Sequence, residues 1–341
     1  MSENLLDIEH LTTEFATPNG TVRAVRDVSY HLAPGEVLGI VGESGSGKSQ
    51  GMLTLMGLLA SNGKVTNGTI KFNGKDISPK FQTKKDKKLY EKQMRKIRGN
   101  EIGMIFQDPM TFLNPILKVG TQMTEGIRVH TKCSKKEATQ RAIELMRQVG
   151  IPSPEKRLDQ YPFEFSGGMR QRIIIAIALA CNPKLIIADE PTTALDVTVQ
   201  AQILELLKKL TKESGASVIM ITHDLGVVAT MCDRIAIMYA GQIVEEGTTE
   251  EIFYKAKHPY TKGLLNSINN SEKDDDEPLV PIPGTPPDLT ALPDGCAFMA
   301  RCPYAMKICK MQEAPLSEYN ETHFCKCWLE KKDESLITVK A

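Results

Sequence analysis

The stretch Gly42-Glu43-Ser44-Gly45-Ser46-Gly47-Lys48-Ser49 constrains this chain more than any other part of it. It matches the pattern G-x-x-x-x-G-K-[ST], and its surroundings match too. The apolar run Val37 to Val41 precedes it, and Met52, Leu55, Met56 and Leu59 follow at helical spacing until a turn at Asn62-Gly63. A buried parallel strand, a glycine turn and a helix are expected in that order. Gly42, Gly45 and Gly47, with Ser44 in the same cradle, let backbone N–H groups turn inward around phosphate oxygens. The helix that follows adds its positive N-terminal end. Lys48 offers a point charge to the β- and γ-phosphates, and the Ser49 hydroxyl is placed to ligate magnesium. The motif implies a magnesium–nucleoside triphosphate, with ATP the expected nucleotide.

A second motif complements the first. Leu185-Ile186-Ile187-Ala188-Asp189-Glu190 is an apolar strand that delivers two carboxylates to the end of a parallel sheet, where ligands bind in such folds. Asp189 is placed to hold the magnesium, and Glu190 to polarise an attacking water as general base. Further strands are expected at Gly68–Phe72, Ile102–Phe106 and Val218–Ile221, and a hairpin around Ala240-Gly241. Helical spacing covers Met169–Cys181 and the set Ile203, Leu206, Leu207 and Leu210. Alternating strands and helices imply an α/β core. The stretch from Thr111 to Pro162 breaks the alternation with helical spacing at Ala142, Leu145, Met146 and Val149, so a separate helical lobe is expected there.

Composition excludes several classes. With 42 Lys+Arg against 42 Asp+Glu the formal charge is zero, which argues against a dedicated nucleic-acid binder. Residues 80–98 do carry nine Lys or Arg against two acids, a pattern expected of a solvated, partly helical surface. No apolar run approaches the roughly 18 residues needed to cross a bilayer, and the first residues lack a secretion leader, so a cytosolic chain is expected.

The segment Phe165-Ser166-Gly167-Gly168-Met169-Arg170-Gln171 resembles the signature motif of ATP-binding-cassette ATPases. The rest of that family's set follows in its order: Gln107 as the Q-loop, Ala194-Leu195-Asp196 as the D-loop and His223 as the switch histidine. The resemblance covers about residues 5–265. It implies a P-loop, RecA-like ATPase core with an antiparallel β subdomain and a helical lobe at about 108–165. It also implies two ATP molecules sandwiched in a head-to-tail dimer, each between one chain's phosphate loop and the other's Ser166 and Gly168. Gln107 would sense magnesium and the lobe, Asp196 would join the nucleotide site, and His223 would contact the γ-phosphate. Phe15 is the candidate for stacking on adenine, beside the plainer reading of a core residue on an early strand.

Residues 101–115, 161–172 and the C-terminal part resemble the D-type ATPase subunit of bacterial oligopeptide and dipeptide importers, with Met169 where most of the wider family has Gln. Phe163 and Phe112 depart from that pattern, which has His and Ser there. The domains implied are a nucleotide-binding domain at 1–265 and an extension at 266–341. The extension opens with acidic residues Asp274, Asp275, Asp276 and Glu277 and six prolines up to Pro293, read as a linker. Five of the eight cysteines lie in the last 46 residues. Cys296, Cys302, Cys309 and Cys325 are spaced C-x5-C-x6-C-x15-C, with Cys327 a rival for the fourth place. Four soft thiolates suit zinc or an iron–sulfur centre. The resemblance implies a [4Fe–4S] cluster, with zinc as the alternative, and a structural role.

The function implied is ATP hydrolysis that energises a membrane importer of oligopeptides or dipeptides, from the cytoplasmic face of a bacterial membrane. The partners implied are a second, F-type ATPase subunit, two integral permease subunits and, indirectly, an extracellular peptide-binding protein, with no nucleic acid. Related importers of nickel or sugars, and soluble cassette ATPases, are the competing readings.

Overall fold

The computed structural model describes residues 4–81, 83–193, 195–267 and 281–330. It divides into two units, one formed by residues 1–5, 32–37 and 81–221 and the other by 6–31, 38–80 and 222–341. The acidic start of the linker, including Asp274 to Glu277, lies outside the described residues.

The first unit is built on three parallel strands, Ile102–Ile105, Leu185–Asp189 and Ser217–Thr222, with Leu185–Asp189 in the middle. Every residue of all three is buried. That is why they read as continuous apolar runs instead of alternating ones. Helix Gly167–Ala178 packs its isoleucines Ile173, Ile174 and Ile175 at 0% exposure. Helix Val197–Ser214 buries Ile203, Leu207 and Leu210, as its spacing indicates. The expected lobe consists of helices Pro109–Phe112, Val119–Thr131, Lys135–Gln148 and Pro154–Arg157. Helix Lys135–Gln148 opens on a capping box, with Ser134 accepting from the Glu137 N–H and Glu137 reaching back. The basic stretch forms helix Lys84–Ile97, which buries only Tyr90, Met94 and Ile97 and leaves its charges in water.

The second unit holds two sheets. One is antiparallel, with strands Gly20–Leu32, Leu6–Thr17, Gly63–Phe72 and Lys75–Asp76 side by side in that order. The other runs Leu316–Glu318, Phe324–Lys326, Gln242–Thr248, Arg234–Tyr239 and Val37–Val41, the last pair parallel. The expected hairpin turns at Ala240 and Gly241, with φ of 47° and 85°, the left-handed pair that a two-residue turn requires. Strand Phe324–Lys326 pairs with this hairpin, Cys325 opposite Glu245, so the cysteine-bearing tail is stitched into the sheet of the phosphate loop.

Two boundaries differ from the spacing. The helix after the phosphate loop ends at Leu55 instead of continuing through Leu59, because Gly57 turns left-handed at φ 61° and its N–H bonds back to Thr54. The following strand starts at Gly63 instead of Gly68, since residues 63–67 pair with Thr12 to Phe15.

Candidate nucleotide site

In the second unit, strand Val37–Val41 delivers the chain to the phosphate loop and helix Lys48–Leu55 leaves it. Close packing fixes the two outer glycines. A Cβ at Gly42 would lie 2.1 Å from the Met238 carbonyl oxygen, and one at Gly47 2.1 Å from that of Ala24. Gly45 and Gly47 also have φ of 78° and 101°, which only glycine adopts without cost. Lys48 is 6% exposed and curls over the loop, donating from Nζ to the carbonyls of Gly42 (2.7 Å) and Glu43 (2.9 Å). The Gly241 N–H holds the Ser46 carbonyl at 2.8 Å. Ser44 lies within this loop and Ser49 in the first turn of the helix, and the ring of Phe15 lies against Gly63 on the antiparallel sheet, half-buried. His223 is exposed immediately before Asp224, which caps helix Leu225–Met231.

In the first unit, Asp189 ends the middle strand at 6% exposure. Glu190 follows in the left-handed region at φ 46°, an uncommon conformation for a side chain with a Cβ. It is over-determined by its neighbours. Its N–H donates to Ile221 O at 2.9 Å, while Gln107 Nε2 (2.8 Å) and Thr193 Oγ1 (2.9 Å) both donate to its Oε2. Gln107 and Glu190, 83 residues apart, are therefore brought together. Ser166 caps helix Gly167–Ala178 and is exposed; Gly168 packs so closely that a Cβ would meet Val199 Cγ1 at 2.8 Å. Asp196 caps helix Val197–Ser214, accepting from the Val199 N–H at 3.0 Å. Ala194 lies outside the described residues.

Sequence reasoning missed Gln171. It is fully buried five residues after Ser166, and its Nε2 donates to Pro191 O at 2.7 Å. It thus ties the signature helix to the turn after Glu190. The available signal was its place three and four residues before Ile174 and Ile175, on the helix face that they bury.

In the tail, the Cys296 N–H bonds to Cys309 O at 2.7 Å, joining the backbone at the first and third cysteines of the spacing. Burial pushes the Cys296 thiol up to about 11, with Cys309 and Cys302 near enough to add to the shift. Burial pushes Cys327 up to about 12, and the charges of Cys296, Cys302 and Cys309 contribute. Cys325 is fully buried on its strand opposite Glu245 and Ser317. Among the described residues, no group of three or more His, Cys, Asp or Glu has the arrangement to hold a metal ion.

Residues 25–193 match the ABC transporter family, and residues 244–309 match the C-terminal region of oligopeptide/dipeptide transporters. The chain belongs to the ATP-binding proteins of the oligopeptide/dipeptide ABC transporter family. It is 57% identical to the oligopeptide transport ATP-binding protein OppD of Bacillus subtilis, over 95% of this chain and 88% of that protein. It is 52% identical to the dipeptide transport ATP-binding protein DppD of the same organism, over 96% and 95%. The solved structure of the cassette MJ0796 as a post-hydrolysis dimer with ADP and Pi covers 72% of this chain and 98% of its own, with a TM-score of 0.62 and 28% identity. The fold is that of an ABC ATPase, and the chain is an ATP-binding ATPase subunit. No helix among the described residues is long and apolar enough to cross a membrane.

Proposed function

We propose that this chain is the D-type subunit that hydrolyses ATP to power a membrane importer of oligopeptides or dipeptides. The observation that carries the substrate class is the joint presence of the cassette at 25–193 and the oligopeptide/dipeptide region at 244–309 in one chain. In this reading the cassette proper spans 1–265 and the extension 266–341. ATP lies between the phosphate loop of one subunit and Ser166 and Gly168 of an F-type partner, with Asp196 near the shared edge. Phe15 stacks on the adenine.

The chemistry asks little of the protein beyond positioning and charge. Lys48 and the loop's N–H groups bind the triphosphate. Glu190 holds the attacking water, and its bond from Gln107 ties the base to the lobe. His223 contacts the γ-phosphate. Magnesium commonly takes one or two carboxylates plus substrate phosphates, which fits Asp189 with the Ser49 hydroxyl and Gln107. When bound it neutralises charge on the phosphates. Exposed apolar residues just after Gln107, namely Met110, Phe112, Ile116 and Leu117, give the lobe a surface suited to a permease at the cytoplasmic face of the membrane. Two permease subunits and, indirectly, an extracellular peptide-binding protein complete the assembly.

The tail's thiols suit a soft-metal centre in kind and number, a [4Fe–4S] cluster before zinc, but among the described residues no three such groups are arranged around a metal position. Cys296, Cys302 and Cys309 are the first three ligands. Cys325 would be the fourth, with Cys327, two residues on and also buried, as its rival. The group would staple a tail poor in apolar residues.

The test is uptake of labelled peptide by vesicles holding the whole transporter. Uptake should require ATP and stop with Glu190→Gln. ATP-driven uptake of nickel or sugar, but not peptide, would refute the substrate class.

A further inference from the structure

The contact that no motif announces joins the tail to the phosphate loop. Arg301 stands between Cys296 and Cys302, on the short turn Met299–Arg301. It is 7% exposed and grips the Glu43 carboxylate with both arms of its guanidinium, Nη1 to Oε2 at 2.6 Å and Nη2 to Oε1 at 2.8 Å. The partners lie 258 residues apart. The grip is itself held in place. Arg301 Nε donates to Pro283 O at 2.9 Å, and its guanidinium stands against the rings of Tyr239 and Phe298, 5.8 and 5.9 Å from their centroids.

Glu43 is the second residue of the phosphate loop, and three groups fix it. Its N–H donates to the hydroxyl of the fully buried Tyr260 at 2.9 Å, its carbonyl accepts from Lys48 at 2.9 Å, and its carboxylate is held by Arg301. A carboxylate at this place is otherwise a liability, since a loop built for a polyanion gains nothing from a neighbouring negative charge. A paired, bidentate carboxylate is both neutralised and fixed in direction.

We propose that Arg301 is a positioning residue for ATP: by neutralising and orienting Glu43 it makes the cysteine-bearing tail part of the nucleotide site. This rests on the reading that the loop binds ATP, and it adds that the loop is competent only with the tail's arginine in place. The role belongs to binding and not to the chemical step, so it should appear in KM for ATP more than in kcat.

The experiment measures equilibrium binding of ATP to the purified full chain, and KM and kcat for ATP in the whole transporter. Arg301→Ala should weaken ATP binding roughly tenfold, because a half-buried carboxylate is left unpaired beside the phosphates. Arg301→Lys keeps the charge but loses the fork, and should fall between. It also carries the comparison if the alanine variant does not fold. Adding Glu43→Gln to Arg301→Ala should recover most of the lost affinity, and Glu43→Gln alone should shift it less than Arg301→Ala does. Unchanged affinity in both Arg301 variants would overturn the proposal. So would a loss that Glu43→Gln does not relieve, since that marks Arg301 as a support of the tail's fold alone. Failure of the unsubstituted chain to bind ATP would overturn the nucleotide reading beneath it.

Discussion

The phosphate loop and the signature segment are both glycine turns that open a helix, yet the structure treats them differently. The phosphate loop is closed and tied down. Lys48 and Ser46 are 6% and 5% exposed, and bonds from Lys48, Gly241 and Arg301 converge on it. The signature segment is open. Ser166 is exposed, and its hydroxyl takes a long 3.4 Å bond from the Met169 N–H. The helix behind it is anchored instead, through Gln171 and through Gly168 against Val199. One turn is finished within its own chain. The other is a rigid face whose outward groups are left for something else to use.

That contrast can be broken at several points. The largest effect is expected at the base. Glu190→Gln should lower ATP turnover by about 10²- to 10⁴-fold while ATP still binds, because only proton acceptance is lost. Comparing turnover with equilibrium binding checks this. Next is the open face. Ser166→Arg should cut turnover of the assembled transporter by roughly 10²-fold, yet leave ATP affinity of the isolated chain unchanged. Weaker binding to the isolated chain would show that the two turns are not independent.

A smaller effect is expected behind the face. Gln171→Leu removes the donor to Pro191 O and should cost about 1–3 kcal/mol of stability, read by denaturant unfolding. The smallest concerns acid. Burial depresses the His258 ring from 6.5 to about 3. Its folded pKa lies below its unfolded one, so its full share of stability is present above about pH 6.5. That share is lost as pH falls from there toward 3, at up to about 1.4 kcal/mol per pH unit. His258→Asn keeps a cap for helix Pro259–Asn266 and should flatten that slope in unfolding curves taken at several pH values.

What the sequence revealed follows from range. The phosphate loop, the Asp189-Glu190 strand end and the Ser166 cap are local patterns in which turn, strand and helix lie within a dozen residues. Parallel strands buried on both faces show as unbroken apolar runs, so the core was legible as well. The ties were not. Gln107 to Glu190, Gln171 to Pro191 and above all Arg301 to Glu43 depend on tertiary proximity that no spacing encodes. The fourth thiol stays open for a related reason. Cys325 and Cys327 fit the spacing almost equally, lie two residues apart, and are both buried. The early end of helix Lys48–Leu55 turned on one left-handed glycine inside an otherwise helical run.

In the proposed sandwich, this chain's closed loop works only with an open signature face from another subunit. The direct measurement is ATP turnover by a fixed amount of this chain as the second ATPase subunit of its transporter is titrated in. Turnover should rise with the partner and saturate at one partner per chain, and Ser166→Arg in this chain should lower the plateau. Turnover that is already maximal for the chain alone, and indifferent to both the partner and Ser166→Arg, would contradict the account.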